Sequence, residues 1–229
     1  MKISGLQKTS LLDYPDKVSA IIFTQGCGFR CGYCHNPELI PVAKEGGFGT
    51  EEILEFLKKR KKVLDAIVIT GGEPTLQKDL PEFIQAVKNL GYLVKLDTNG
   101  TNPEMLEKLI QKKLIDYIAM DIKAPLRGYD RVTQVKVDKE RIKKSIKLIM
   151  KSGLDYELRS TILPQLHNSQ DIKAMARMIK GAKKYYLQTF LNQGKIWDKS
   201  LAAAQAFSSK EMRELARACS EFVEKCEVR

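Results

Sequence analysis

The sequence predicts an α/β protein built on an open, partial (β/α)6 barrel, and three observations carry that expectation. Short apolar runs alternate with longer amphipathic stretches, the sequence form of repeated β-α units around a parallel sheet. Six such runs occur in 229 residues, too few for a closed eight-fold barrel. Clustered cysteines, paired glycines and carboxylates all follow directly on apolar runs, where parallel barrels present their reactive groups.

Taken in order, the predicted strands cover 18–24, 66–70, 93–97, 117–121, 156–160 and 185–188. Most are short and dominated by Ile, Val, Leu and Tyr, as strands covered on both faces are. Predicted helices cover 51–60, 80–90, 103–112, 139–151 and 169–180, where apolar residues recur at helical spacing. Thr50 and Asn102 are candidate N-caps, Pro103 a first helical residue, and Gly91 and Gly153 stand where helices would end. Length and the absence of a linker predict one domain over 1–229, with the barrel at about 15–192 and a helical tail at about 193–229. Along the amphipathic stretch at 210–225, Cys219 and Cys226 fall at a spacing of seven, share a helical face and read as buried thiols.

Charge and cysteine usage exclude several classes. The 39 Lys and Arg against 28 Asp and Glu leave a net charge of +11, yet the surplus is dispersed. Its densest run, Lys58 to Lys62, closes a predicted helix, where cations suit the helix dipole. No aromatic residues interleave the basic runs as a stacking platform for single strands requires, so a solvated surface is favoured over a nucleic-acid face, and an acidic protein surface is a compatible partner. No segment approaches the roughly 18 apolar residues of a membrane span, and no apolar leader precedes Leu11, which predicts a cytoplasmic protein. Five cysteines with three clustered point to reduced thiols and metal rather than to a secreted disulfide framework.

Those three, Cys27, Cys31 and Cys34, are spaced C-x3-C-x2-C after the first predicted strand. Separated by Gly28 and Gly32, they can fold around a compact metal centre but cannot fill four coordination sites. His35 adjoins Cys34 and would have to bend back sharply to supply the fourth ligand. An open metal position, where substrates are activated, is one reading; a zinc site completed by a distant ligand is the other.

The remaining strand ends are polar. Gly71 and Gly72 after the second would let a ligand approach the backbone and its carbonyls, although an ordinary turn has the same composition. Asp97, Thr98 and Asn99 end the third and offer donors and acceptors; helix entry, the alternative use, is already served by Asn102 and Pro103. Asp121 and Lys123 end the fourth and project to one side, as a ligand site or as a structural ion pair. Arg159 ends the fifth and suits a carboxylate through paired hydrogen bonds, or a surface ion pair, and Gln188 ends the sixth. His35 and His167 read as structural.

The segment Cys27-Gly28-Phe29-Arg30-Cys31-Gly32-Tyr33-Cys34 resembles the C-x3-C-x-aromatic-C signature of the radical S-adenosylmethionine (radical SAM) superfamily. Ile69-Thr70-Gly71-Gly72-Glu73-Pro74 is similar to its Gly-Gly-Glu segment, and Leu96-Asp97-Thr98-Asn99-Gly100 to its ribose-contacting strand end. Thr9-Ser10-Leu11-Leu12-Asp13-Tyr14-Pro15, with Phe23-Thr24-Gln25-Gly26-Cys27 and Cys34-His35-Asn36-Pro37, resembles the glycyl-radical-enzyme activases, above all those serving anaerobic ribonucleoside-triphosphate reductase.

The resemblance implies that Cys27, Cys31 and Cys34 hold a [4Fe-4S] cluster whose fourth iron is chelated by S-adenosylmethionine. It implies that Gly71, Gly72 and Glu73 hold the methionine amino group and that Asp97, Thr98 and Asn99 meet the ribose and carboxylate; Tyr33 and Leu163 could bracket the adenine ring or equally belong to the core. Lys123, Arg159 and Gln188 would complete the cofactor contacts, and Asp97 and Asp121 could hold a monovalent cation. No catalytic side chain beyond cluster and cofactor is expected. An electron from a low-potential donor such as flavodoxin or ferredoxin would yield a 5′-deoxyadenosyl radical that takes a glycine α-hydrogen from the partner enzyme. Two alternatives are a compact radical SAM enzyme acting on a small molecule, similar to the deazapurine synthases, and a non-catalytic metal module binding nucleic acid.

Overall fold

The computed structural model describes residues 1–42, 47–191, 195–201 and 203–229. The expected end of the barrel at Asn192 and the start of the tail at Gln193 fall outside these residues. The chain packs as two compact units: Met1–Gly28, Glu38–Thr98 and Asn102–Ile118 form the first, and Phe29–Pro37, Asn99–Thr101 and Ala119–Arg229 the second.

The first unit contains β1 (Ile3–Ser10), β2 (Ser19–Thr24), α1 (Thr50–Arg60), β3 (Ala66–Gly71), α2 (Leu80–Asn89), β4 (Leu93–Thr98), α3 (Pro103–Gln111) and the start of β5 (Tyr117–Asp121). The second contains the rest of β5, then α4 (Tyr129–Thr133), α5 (Lys139–Lys151), β6 (Asp155–Ile162), α6 (Ser169–Met178), β7 (Tyr185–Thr189), α7 (Ser209–Cys219) and β8 (Cys226–Val228). The strands hydrogen-bond in chain order, with β1 and β8 at the two edges, so the sheet is not closed. Pairing is antiparallel for β1 with β2 and parallel for β2 with β3, β3 with β4, β6 with β7 and β7 with β8.

All six predicted strands are present, each within two residues of its expected bounds, and two more join the edges. β1 escaped the apolar pattern because Gln7, Lys8 and Thr9 lie exposed along an edge strand. β8 is three residues long, too short for any periodicity to register. It also corrects the expected helix at 210–225, since α7 stops at Cys219 and the chain turns back through a Phe222 N to Cys219 O hydrogen bond of 2.9 Å. Thr50 is the first helical residue of α1 rather than its cap; Gly49 occupies the cap position, without a side-chain hydrogen bond. Asn102 caps α3 as expected, accepting from Met105 N.

In the first unit, Ile21, Ala66 and Val68 pack with Tyr14 and Tyr117, whose ring centres lie 5.7 Å apart. The helices bury matching stripes: Ile53 and Leu57 from α1, Phe83, Ile84 and Val87 from α2, Leu106 and Leu109 from α3. Each such side chain contributes about 1.5–3 kcal/mol of transfer free energy. Asp116 pins the start of β4 by accepting from Val94 N at 2.7 Å while pairing with Lys88 at 2.7 Å. In the second unit, Ile142, Ile146 and Ile149 of α5 and Ile172 and Met175 of α6 are buried, and the Tyr185 hydroxyl donates to Ser160 Oγ at 2.8 Å. No described helix is long and apolar enough to cross a membrane.

Candidate functional site

Backbone clips fix the cysteine loop on both flanks. In the first unit, Gly26 N and Cys27 N donate to Leu39 O and Ile40 O at 2.8 and 3.0 Å, and the buried Gln25 side chain donates to the Glu38 and Pro41 carbonyls. In the second, Arg30 N donates to Thr133 O at 2.8 Å, Asp198 N to Gly32 O at 2.9 Å, and Cys34 N to Cys31 O at 2.9 Å, which closes a turn between two of the thiols. Phe29 rests edge-on against Tyr129. Cys31 is buried, Cys27 and Cys34 are half-buried, and none of the five cysteines is in a disulfide.

The Gly71-Gly72 turn brings backbone against backbone. Gly71 has φ of 118°, and a Cβ there would stand 2.3 Å from Thr24 N. A Cβ on Gly72 would stand 2.2 Å from Gly26 O, the carbonyl next to Cys27. The missing side chains thus admit the strand leading into the cysteine loop, an approach of backbone to backbone. Beside it, the buried Glu73 caps a short 3-10 turn: its Oε1 accepts from Thr75 N at 3.1 Å, Thr75 Oγ1 at 2.5 Å and Thr98 Oγ1 at 2.7 Å. Two expected cofactor residues, Glu73 and Thr98, are thus brought together by a direct hydrogen bond.

Asp97 pairs with the buried Lys95 ammonium at 2.9 Å. In the second unit, Asn99 Oδ1 accepts from Thr101 N at 3.0 Å and from Thr101 Oγ1 at 2.7 Å, an Asx turn that orders the strand exit. Gln188 receives a long hydrogen bond from Thr161 Oγ1 at 3.4 Å.

A charge cluster of the second unit is centred on Asp121. Arg159 Nε stands 2.9 Å from its Oδ1 and Lys123 Nζ 3.1 Å from its Oδ2. Burial disfavours ionisation of Asp121, but the Arg159 and Lys123 charges overcome it and hold the carboxyl well below its ordinary range. Burial likewise opposes the Lys123 charge, yet Asp121, with Tyr33 and Cys31 behind it, raises the ammonium well above its usual pKa. Lys123 Nζ lies 5.8 Å over the Tyr33 ring. Tyr33 is buried, its phenol is pushed far up by desolvation, and its Oη has no hydrogen-bond partner. Arg159 is steadied in turn by Glu157 at 3.8 Å, a buried carboxylate that Arg229 grips through both oxygens at 3.2 Å.

Three supporting residues, Thr75, Glu157 and Arg229, were not legible as such, whereas His167 already read as structural. Thr75 ties Glu73 locally, and its place two residues after a carboxylate and directly after a proline is a capping signature that could have revealed it. Glu157 and Arg229 act across strands, which no local pattern reports. His167 holds the Leu163 turn to the β5 exit, with Nδ1 accepting from Leu163 N at 3.2 Å and Nε2 2.8 Å from Lys123 O. Since Nδ1 accepts, Nε2 carries the proton and the ring is neutral; burial lowers its pKa accordingly. His35 stacks edge-on against Phe190, 5.4 Å away.

Two implied groups meet different donor sets. No three or more His, Cys, Asp or Glu side chains among the described residues stand arranged to hold a metal ion. The case for an iron–sulfur cluster rests on donor chemistry: three thiols outside any disulfide, in a loop whose backbone is clipped on both flanks, suit the soft iron of such clusters. A monovalent cation does not fit in the same way, because the charge of Asp97 is met by Lys95 and that of Asp121 by Lys123 and Arg159.

Comparison with known proteins agrees with this chemistry. The Radical SAM superfamily model matches residues 21–179. A protein of Methanocaldococcus jannaschii, provisionally named as a glycyl-radical enzyme activating enzyme, is 37% identical over 235 aligned positions, covering 99% of this chain and 95% of its own. The pyruvate formate-lyase-activating enzyme of Clostridium pasteurianum is 29% identical over 189, covering 80% and 77%. Among solved structures, a domain of pyruvate-formate lyase-activating enzyme from Bacteroides vulgatus superposes with a TM-score of 0.57 at 17% identity, over 72% of this chain and 98% of that one.

Proposed function

Because this chain belongs to the radical SAM superfamily, among its glycyl-radical-enzyme activating enzymes, we propose that it generates the glycyl radical of a partner enzyme, anaerobic ribonucleoside-triphosphate reductase. Membership implies a [4Fe-4S] cluster and S-adenosylmethionine. When bound, these supply one-electron cleavage of the sulfonium and a 5′-deoxyadenosyl radical able to take a glycine α-hydrogen.

In this reading Cys27, Cys31 and Cys34 hold the cluster and leave one iron for the cofactor. The single observation that carries it is the C-x3-C-x2-C loop inside the matched family segment, clipped at Gly26, Cys27 and Arg30 by backbone hydrogen bonds. The Gly71 and Gly72 backbone and the Glu73 carboxylate receive the cofactor ammonium, with Thr98 and Thr75 keeping Glu73 in one rotamer. Tyr33 offers its ring to the adenine and its unpartnered hydroxyl to a ligand atom. Lys123 and Arg159, held by Asp121, form a cationic wall suited to the cofactor carboxylate, while Asp97, Asn99 and Gln188 bind ribose and carboxylate oxygens. Beyond this positioning, the residues must exclude competing hydrogens from a reactive alkyl radical.

The partner assignment rests on the Thr9 to Pro15 and Cys34 to Pro37 segments. Electrons would come from a flavodoxin or ferredoxin in the cytoplasm. The test is anaerobic co-incubation of reconstituted protein, S-adenosylmethionine and reductant with anaerobic ribonucleotide reductase. A glycyl doublet in the electron paramagnetic resonance spectrum supports the assignment; a doublet appearing only with another glycyl radical enzyme moves it to that partner.

A further inference from the structure

Arg159 stands between two carboxylates of the second unit, and they hold it unequally. Its Nε donates to Asp121 Oδ1 at 2.9 Å, whereas its Nη1 lies 3.8 Å from Glu157 Oε1. Glu157 and Arg159 are two residues apart on β6 and so share a face of the sheet. Glu157 is 1% exposed, and a carboxylate so deeply buried draws in whatever cation is within reach. Arg229 meets that demand: its Nη1 donates to both Glu157 oxygens at 3.2 Å, nearer than Arg159 Nη1. Register lines the residues up, since Arg159 pairs with Tyr186 of β7 and Tyr186 with Glu227 of β8. Arg229 is then pinned from three directions. Its N donates to Leu187 O at 2.9 Å, its O accepts from Thr189 N at 2.8 Å, and its guanidinium lies 3.4 Å over the Tyr186 ring.

We propose that Arg229 is a positioning residue for the cofactor wall: by satisfying Glu157 it keeps Arg159 on Asp121, the place from which Arg159 binds the carboxylate of S-adenosylmethionine. The inference rests on the reading of Arg159 given above and adds to it a residue of the edge strand. Without the Arg229 charge, the Glu157 carboxylate pulls Arg159 Nη1 inward from 3.8 Å and loosens the Nε bond to Asp121. Guanidinium geometry makes this costly for a ligand, because the fork that suits a carboxylate turns with the whole plane. The cause of the loss is thus the unmet Glu157 charge, and it has a distinctive signature. Removing that charge as well, with Glu157→Gln, takes away the pull and restores Arg159. A residue that only packed β8 against β7 would show the reverse, since a second lost contact would add to the first.

The test is calorimetric titration of the anaerobically reconstituted holoprotein with S-adenosylmethionine, alongside hydrogen exchange of the Arg159 Nε–H followed by nuclear magnetic resonance. Arg229→Gln is expected to weaken binding about tenfold, the size of one charge-assisted hydrogen bond, and to speed Nε–H exchange. Glu157→Gln is expected to match wild type in both, and the double variant Arg229→Gln, Glu157→Gln to return to wild-type affinity and slow exchange. The proposal is overturned if Arg229→Gln binds as wild type does, or if the double variant is no better than Arg229→Gln. Arg159→Gln separates the two levels of the argument. If it binds as wild type does, the reading of Arg159 falls and this inference with it; if it binds weakly while Arg229→Gln does not, this inference alone falls. Should Arg229→Gln fold poorly, Tyr186→Leu removes only the ring beneath the Arg229 guanidinium. It is expected to weaken binding and to be suppressed by Glu157→Gln, and absence of either effect overturns the proposal.

Discussion

Thr98 Oγ1 donates a 2.7 Å hydrogen bond to Glu73 Oε1 across 25 residues of sequence, joining the exit of β4 to the turn after β3. With Thr75 contributing two more donors to the same oxygen, the Glu73 carboxylate is held in place before any ligand arrives.

Removing that carboxylate should therefore cost both stability and cofactor affinity. Glu73→Ala loses three hydrogen bonds to a buried charged acceptor, about 3 kcal/mol, whereas Thr98→Val loses one and about 1 kcal/mol. Urea denaturation checks the first part. Calorimetric titration with S-adenosylmethionine checks the second, where Glu73→Gln should fold nearly as well as wild type but bind at least tenfold more weakly.

Gly72→Ala should disturb the cysteine loop from a distance. Its Cβ would fall 2.2 Å from Gly26 O and 2.9 Å from Leu39 O, both backbone atoms that cannot swing aside. Overpacking of this kind costs about 1–3 kcal/mol, and the strain should surface as faster hydrogen exchange at the Gly26 and Cys27 amides.

Asp121→Asn removes the carboxylate with which both Lys123 and Arg159 pair. Breaking a mostly buried pair from one side costs about 3 kcal/mol. Since the Asp121 carboxyl is held below its ordinary range, its stabilisation is fully present above the unfolded pKa of about 3.9 and is lost as pH falls below it. Acid titration of stability should flatten over that window in the variant.

His167 supplies a separate, milder pH dependence. Its folded pKa is depressed by burial, so its contribution is complete above the unfolded value of about 6.5 and declines as pH falls through that region. Wild-type protein should be less stable at about pH 5.5 than at about pH 7.5, and His167→Gln should remove most of that difference.

The candidate site positions are legible because their patterns are local. Three cysteines, two glycines and a Glu-Pro step declare themselves by spacing, whereas Arg159, expected at a strand end, lies three residues before the end of β6. Partnerships between strands were not. That Asp121 and Lys123 share a side follows from their two-residue spacing, but Arg159 joining them depends on β5 and β6 being neighbours. The Glu157–Arg229 pair depends on β8, an edge strand of three residues with no pattern to detect. The same short strand turned an expected continuous helix into a return after Cys219.

The central claim is that three thiolates leave one iron open to S-adenosylmethionine. Its most direct test is dithionite-driven cleavage by the anaerobically reconstituted protein, with methionine and 5′-deoxyadenosine quantified beside iron and sulfide content. Wild type should give equimolar methionine and 5′-deoxyadenosine, and Cys27→Ala, Cys31→Ala and Cys34→Ala neither product. A fully loaded wild-type cluster that cleaves nothing, or undiminished cleavage by Cys31→Ala, would contradict that claim.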